Sequence, residues 1–236
     1  VNSRIRDLVA PPETKFATTI PGDITRDVID GAPQARMNVV LVMIESLSAS
    51  FMARFGNRLS LTPNLDALAD QSLFFANMLA TGTRTVRGLE AVTLSVPPTP
   101  GQSILRRPGH DHLFSLGSVL RDHGYSTTYL YGGDGGFDNM TAFFAANGYR
   151  VVDRSNFAPS EVSFSNAWGV CDEDLFARAL READASHATG QLFFQHVMTV
   201  SNHRPYTYPA GRISAPHGAA DPQQRPTPSG FVEQRS

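Results

Sequence analysis

The sequence predicts an α/β protein, a three-layer α/β/α sandwich with a mainly parallel sheet that is truncated at its C-terminal side. Two observations predict this fold class. A continuous apolar run rich in Val, Leu and Ile occurs at 37–44 and is typical of a strand buried on both faces of a parallel sheet. The β-branched and aromatic stretch at 125–131 and the stretch at 191–198 predict two further strands. Segments with helical periodicity separate the runs, and strands that alternate with helices form parallel sheets covered on both sides.

Capping residues and apolar stripes predict the helices. Thr62 is a favourable N-cap residue, and Pro63 after it suits the first helical position. A stripe of leucine and alanine then gives this helix one apolar face. The short aromatic stretch 73–78 predicts an additional strand. Further helices are predicted at 89–94, 112–123, 139–147 and 172–185.

Composition restricts the classes of protein to which the chain can belong. Of its 236 residues 41% are hydrophobic and 18% charged, which predicts a globular rather than a disordered chain. The formal net charge of -2 argues against general nucleic-acid binding. Cys171 is the single cysteine, so no internal disulfide forms. No apolar run approaches the ~18 residues of a membrane span, and we expect a soluble chain.

Changes in composition predict three parts of the chain. Residues 1–36 are polar and rich in Pro and Gly, as in a lead-in or linker. Residues 37–213 hold the predicted strands and helices and form one domain; the family resemblance given below implies that it is the N-terminal part of a catalytic domain. Residues 214–236 are dominated by Pro, Gln, Arg, Ser and Gly, which predicts a disordered or aberrant tail. Because the chain begins with Val1, we expect its natural N-terminus to lie upstream.

Polar residues follow the predicted strands, and in parallel sheets functional groups gather beyond the carboxyl ends of the strands. Glu45 follows the first strand directly and is either a metal ligand or an acid that caps a helix. Thr85 is a hydroxyl nucleophile or part of a polar turn, and Thr81 and Thr83 compete with it. Arg84 and Arg87 flank Thr85 and suit the oxygens of a phosphate group.

Three later residues are further candidates for substrate binding. Asp134 lies in a glycine-rich loop, which either brings backbone amides to an anion or is an ordinary tight turn. Trp168 either lines a pocket or packs in the core. His203, just past the third strand, is either functional, binding a phosphate or protonating a leaving oxygen, or an ordinary surface residue.

Seven short motifs, in their order and spacing, resemble the sulfatase-like branch of the alkaline phosphatase superfamily, most closely the lipoteichoic acid synthase or phosphoglycerol transferase family. The resemblance extends from about residue 38 to residue 212, and it implies an α/β/α sandwich. The motifs lie at 38–46, 62–66, 84–90, 131–134, 137–140, 168–169 and 201–203.

The resemblance also implies a reaction. A divalent cation, most often Mn²⁺ with Mg²⁺, Ca²⁺ or Zn²⁺ as alternatives, would be held by Glu45, Thr85 and a later Asp-His pair. Thr85 would attack a phospholipid headgroup and pass glycerophosphate to a glycan or polymer hydroxyl. Substrate contacts would come from Arg84, Arg87, Asp134, Trp168 and His203. Membrane helices upstream would anchor the domain at the extracytoplasmic face of the bacterial membrane.

The sequence departs from related families at two points. Sulfatases that use formylglycine need Cys or Ser followed two residues later by Pro, and the segment around Thr85 has neither. No Asp-His pair follows Arg212, so we expect truncation or an altered reading frame near residue 214. Two alternatives therefore stay open beside the transferase: a hydrolase of sulfuric or phosphoric esters, and a truncated, non-catalytic remnant.

Overall fold

A parallel sheet forms the centre of the molecule. The computed structural model describes residues 15–20, 23, 25–26, 35–97, 99–204, 206–209 and 211–212. Within these residues the sheet has four strands in the order β1-β4-β2-β3, and every pairing is parallel. The strands are Val39–Met43 (β1), Ser126–Tyr131 (β2), Arg150–Val152 (β3) and Phe193–Met198 (β4).

The chain divides into two units, Val1–Met37 and Asn38–Ser236. In the described part of the first unit, Thr18 Oγ1 donates a hydrogen bond to Asp23 Oδ2 at 2.6 Å. The predicted tail at 214–236 lies outside the described residues, as does most of the predicted lead-in. The sheet and all the helices described below belong to the second unit.

Helices follow the strands as the sequence predicts. Short 3₁₀ helices also occur, and those at Ile104–Arg106 and Phe137–Asn139 lie near the candidate site. The α-helices of the described residues are Pro63–Asp70 (α1), Thr85–Leu94 (α2), Leu116–Asp122 (α3), Met140–Ala146 (α4) and Asp172–Ala188 (α5).

Helices cover both faces of the sheet. Successive side chains of a strand point to opposite faces, and those of β2 pack against different helices. Tyr129 of β2 lies in one hydrophobic cluster, together with Leu89 of α2 and Phe144 of α4. Leu130, the next residue, lies in a second cluster with Leu175 of α5. The arrangement is a three-layer α/β/α structure, and the predicted α/β class with a parallel sheet is confirmed.

Several predicted boundaries differ from the structure. Residues 73–78 are not a strand and pair with none of the four described strands; Leu73 is 84% exposed. Strand β3 has only three residues and an exposed first residue, which is too short to leave an apolar pattern. Helix α3 begins at Leu116 rather than at 112, because Ser115 and Ser118 form a reciprocal capping box.

Helices α1 and α2 also begin differently from the prediction. Thr62 occupies the N-cap position of α1, but its hydroxyl donates to Asp66 Oδ2 at 3.1 Å instead of accepting from the helix backbone. Helix α2 begins four residues earlier than predicted, at Thr85. The predicted nucleophile is therefore the first residue of a helix.

Replacement of Leu175 by Ala will test the packing of α5 on the sheet. Leu175 is fully buried, so we expect a loss of about 2–5 kcal/mol in the free energy of unfolding. Leu180→Ala on the same helix is the matched control: this residue is 65% exposed, and its loss should change stability by about 0.5 kcal/mol or less. Urea denaturation followed by circular dichroism measures both. Equal destabilisation by the two variants would contradict the described orientation of α5.

Candidate active site

A cavity lies at the carboxyl edge of the sheet. Strand ends, the start of α2 and two loops bring its walls together. Four of the residues predicted from the sequence, Glu45, Thr85, Trp168 and His203, lie in its lining. The full lining is Glu45, Thr85, Tyr131, Phe137, Asp138, Met140, Trp168, Thr199, Val200 and His203.

Parallel pairing fixes the position of Glu45. Met43 and Met198 are paired at the ends of β1 and β4, so the residues that follow these strands lie side by side. The Glu45 backbone N–H donates to Thr199 Oγ1 at 2.9 Å. Asn202 Nδ2 donates to the carbonyl oxygens of Glu45 and Ser46 at 3.1 Å each. The loop after β4 therefore holds the backbone that carries the predicted metal ligand.

Glu45 and Thr85 are in direct contact. Thr85 Oγ1 donates a hydrogen bond to Glu45 Oε2 at 2.8 Å, although the two residues are 40 positions apart in the chain. The other carboxylate oxygen accepts from Ser46 Oγ at 2.8 Å. Because Thr85 is the first residue of α2, its hydroxyl lies at the end of the helix where unpaired N–H groups favour negative charge. An oxyanion formed on Thr85, or an anion bound to it, would be stabilised there.

The oxygens of Glu45 and Thr85 fit one edge of a site for a hard divalent cation, which prefers oxygen ligands. A complete site needs more ligands than these two. The described residues hold no group of three or more His, Cys, Asp or Glu side chains suited to a metal.

The two predicted arginines have different surroundings. Arg84, just before α2, places Nη2 3.2 Å from Asp138 Oδ2 at the rim of the cavity. Arg87 does not line the cavity. Its guanidinium bonds instead to Glu90 Oε1 at 2.7 Å and to the carbonyl oxygens of Thr99 and Gly101. Arg87 thus ties α2 to the loop around residue 100.

Glu90 is a fully buried acid that the sequence did not indicate. Its carboxylate accepts from Arg87, from Ser103 Oγ at 2.9 Å and from the Ile104 N–H at 2.6 Å. Burial on its own would raise the pKa of Glu90, but these hydrogen bonds and the charge of Arg87 outweigh burial and lower the pKa below its ordinary value. The spacing of three between Arg87 and Glu90 in a helix was the available sequence signal.

Asp134 and Asp138 lie in one loop but face different surroundings. Asp134 is exposed, and its Oδ1 accepts from the Gly136 N–H at 2.9 Å, so it closes its own turn. It is not part of the cavity lining, whereas Asp138 is. Asp138 has a φ of 52°, a left-handed conformation that is uncommon for residues other than glycine. No local sequence pattern distinguished it from Asp134.

Aromatic side chains form one wall of the cavity. The rings of Trp168 and His203 lie 3.7 Å apart, and Phe137 meets Trp168 edge-on at 6.0 Å. His203 Nδ1 lies 2.8 Å from the Arg204 carbonyl oxygen. Since a carbonyl only accepts, Nδ1 carries a proton, and in the neutral ring Nε2 then holds a lone pair. Nε2 is able to accept a proton from a ligand or to return one.

Tyr131, the last residue of β2, was not predicted as a site residue. It lines the cavity and is nearly buried. Burial, together with the negative charges of Glu45, Asp138 and Asp134, raises the pKa of Tyr131 to about 12. The phenol therefore stays neutral at physiological pH. Its place at a strand end was the signal that could have identified it.

A parallel α/β sheet that brings an acid and a helix-terminal hydroxyl to its carboxyl edge is the architecture of the alkaline phosphatase superfamily. The chain belongs to the sulfatase family: the family model described as Sulfatase matches residues 37–225. The resemblance stated from the sequence motifs is thereby confirmed.

Curated relatives agree with this assignment. Phosphoglycerol transferase I of Xanthomonas campestris pv. campestris (strain B100) is 31% identical over 205 residues, which are 80% of this chain and 28% of the relative. Phosphoglycerol transferase I of Salmonella paratyphi B is 26% identical over 184 residues, 73% of this chain and 24% of the relative. The chain thus spans about a quarter of the length of these relatives.

Solved structures share the fold. A protein of the alkaline phosphatase superfamily from Vibrio parahaemolyticus is 39% identical with a TM-score of 0.75, covering 82% of this chain and 47% of that one. The lipoteichoic acid synthase LtaP from Listeria monocytogenes is 22% identical with a TM-score of 0.66, covering 76% and 45%. At that identity the second similarity concerns the fold alone. Among the described residues, no helix has the length and apolar character needed to cross a membrane.

Replacement of Glu90 by Gln will test the buried ion pair beneath the site. We expect a loss of roughly 2–3 kcal/mol in the free energy of unfolding at neutral pH, because charge-assisted hydrogen bonds are lost. The folded-state pKa of Glu90 is lowered, so its contribution is present above the unfolded pKa and is lost as pH falls through the folded value. The difference between wild type and variant should therefore shrink below about pH 4.3, the ordinary pKa of Glu. Urea unfolding between pH 3 and 7 measures it, and a difference independent of pH would contradict a charged Glu90.

Proposed function

We propose that this chain is part of a metal-dependent phosphoglycerol transferase of the sulfatase family, with Thr85 as nucleophile. The hydrogen bond between Thr85 Oγ1 and Glu45 Oε2, at the start of a helix, is the observation that carries the proposal. A threonine hydroxyl is a weak nucleophile unless its proton is removed. Here it lies beside an acid that is able to share a cation with it.

Glu45 and Thr85 would hold the divalent cation, for which Mn²⁺ is our first choice. When bound, the cation lowers the pKa of the Thr85 hydroxyl and stabilises negative charge on a phosphoryl group. Thr85 would lose its proton to solvent, and its oxygen would attack the phosphorus of a phospholipid headgroup. The bond from phosphorus to the lipid oxygen breaks, and a covalent glycerophosphate remains on Thr85.

His203 would provide the proton transfers. In its protonated form it gives the Nε2 proton to the departing lipid oxygen. Its neutral Nε2 then takes the proton of an acceptor hydroxyl, which attacks phosphorus and releases Thr85. The released Thr85 oxygen takes a proton back from solvent, so protons balance over the two steps and both Thr85 and His203 end as they began. The Tyr131 phenol, kept neutral by its surroundings, would donate a hydrogen bond to a phosphoryl oxygen.

The remaining partners follow from this reaction. The donor would be an anionic phospholipid headgroup and the acceptor a glycan or polymer hydroxyl. For such a reaction the full protein would work at the extracytoplasmic face of the bacterial membrane, as the family resemblance implies. A non-catalytic remnant is the second candidate function. It is favoured by one observation: the described residues hold no group of three or more His, Cys, Asp or Glu side chains that suits a metal.

Metal binding separates these two candidates. Calorimetric titration of this chain with Mn²⁺ should show one site, and Glu45→Gln should weaken it about 100-fold or more, because loss of even an indirect partner of a metal costs ~10–100-fold. Asp111→Asn, which removes an exposed carboxylate outside the cavity, is the control and should bind as wild type does. If wild type binds no Mn²⁺ specifically, the catalytic proposal fails and the remnant is favoured.

The nucleophile can be identified by a covalent adduct. After incubation with phosphatidylglycerol vesicles and Mn²⁺, mass spectrometry of peptides should find glycerophosphate on Thr85 and none in Thr85→Ala. Thr83→Ala is the matched control and should keep the adduct. An adduct on Thr83 would show that the wrong threonine was assigned. Release of free glycerophosphate without any acceptor, at the rate of adduct decay, would instead indicate a hydrolase.

A further inference from the structure

We propose that Arg106 and Arg84 form an anion-binding subsite at the mouth of the cavity, and that it binds the phosphate-ester group of a glycerol headgroup. Asp138 is the positioning residue of this subsite. The inference rests on the proposed function and adds Arg106, a residue to which the sequence motifs give no role.

One carboxylate joins the two arginines. Asp138 Oδ2 lies 3.2 Å from Arg84 Nη2, and Asp138 Oδ1 lies 3.2 Å from Arg106 Nη1. The Asp138 side chain is only 7% exposed, whereas those of Arg84 and Arg106 are 61% and 45% exposed. The carboxylate is thus the buried centre of the group, and the guanidinium groups remain accessible from solvent.

Hydrogen bonds fix the segment that carries Arg106. Arg106 ends the 3₁₀ helix Ile104–Arg106, whose start is capped by Ser103. Leu105 is fully buried, and its carbonyl oxygen accepts from Asn139 Nδ2 at 2.6 Å. Asn139 is the chain neighbour of Asp138, so the loop that supplies the carboxylate also holds the backbone beside Arg106. The position of Arg106 beside the cavity is therefore set by a fixed backbone and not only by the conformation of its side chain.

The geometry leaves both arginines able to bind a ligand. Each guanidinium uses one nitrogen on Asp138, and the planar group has further N–H donors that match the oxygens of a phosphate. Asp138 and Asn139 both have left-handed backbones, with φ of 52° and 64°. Strained backbone of this kind concentrates where a side chain must be held for function.

The charge of the arginine pair and its position next to Thr85 indicate which ligand the subsite binds. Two guanidinium groups against one carboxylate give this group of three side chains a net positive charge. Arg84 directly precedes Thr85, and Asp138 shares the cavity lining with Thr85. An anion held by the two arginines would therefore lie next to the nucleophile, as a phosphate ester must.

Calorimetry with glycerol phosphate, in the presence of Mn²⁺, tests the subsite. We expect Arg106→Gln to weaken binding about tenfold, as for the loss of charge-assisted hydrogen bonds, and Arg106→Lys to recover only part of this loss because lysine lacks the planar fork. Arg181→Gln is the matched control: Arg181 is 50% exposed and paired with Glu161, on a helix that does not line the cavity. It should bind as wild type does. Thermal melting shows that each variant is folded.

The outcomes separate this inference from the proposed function. If Arg106→Gln binds glycerol phosphate as wild type does while Glu45→Gln loses Mn²⁺, the subsite is wrong and the proposed function stands. If wild type binds neither Mn²⁺ nor glycerol phosphate, both fail. Inorganic phosphate and phosphatidylglycerol vesicles identify the source of the phosphate. Wild-type binding of inorganic phosphate as tight as that of glycerol phosphate would overturn the assignment to an ester, and an Arg106-dependent preference for the vesicles would support it.

Discussion

The parallel pairing of β1 with β4 is the constraint on which the site depends. Strand β1 pairs with β4 alone among the described strands, and Val40 on it is 52% exposed, so packing on that face does little to hold it. Strand β1 is held instead by its backbone hydrogen bonds to β4 and by the hydrogen bond that the Glu45 N–H donates to Thr199 Oγ1. Because the loop after β4 also carries His203, one pairing sets the distance between the predicted metal ligand and the predicted proton donor.

The opposite wall depends on a second buried contact, the carboxylate of Glu90. It joins Arg87 on its own helix to Ser103 and the Ile104 N–H. Helix α2 begins with Thr85, and the segment at Ile104 leads to Arg106, so the same acid fixes both. A buried charge is costly unless it is fully paired, and here each carboxylate oxygen has a partner. The hydrogen bonds of Glu90 thus hold the predicted nucleophile and the segment of Arg106 in a fixed relative position.

The sequence predicted those features that depend on local pattern. Apolar runs located three strands, and their ends located Glu45 and His203, because the carboxyl ends of parallel strands always meet at one edge. Asp138 and Arg106 were not predicted, because their contact joins residues 32 positions apart and requires a left-handed backbone at Asp138. The strand predicted at 73–78 was wrong for a related reason: an apolar aromatic stretch forms a strand only when it pairs with a neighbour, and the local pattern does not show whether it does.

The distribution of charge across the cavity couples the two binding events that the proposed function requires, those of the cation and of the phosphate ester. At the inner end, the Glu45 carboxylate accepts hydrogen bonds from Thr85 and Ser46 but forms no ion pair within the described residues, and it would repel a phosphate that approached without a cation. At the mouth, Asp138 is already paired with two arginines, so the net charge there attracts the same phosphate. The two ends are therefore coupled: binding of a cation at Glu45 must raise the affinity for the ester, and binding of the ester must raise the affinity for the cation by the same factor. Residues that never touch each other, Glu45 and Arg106, would then act on one ligand from opposite sides.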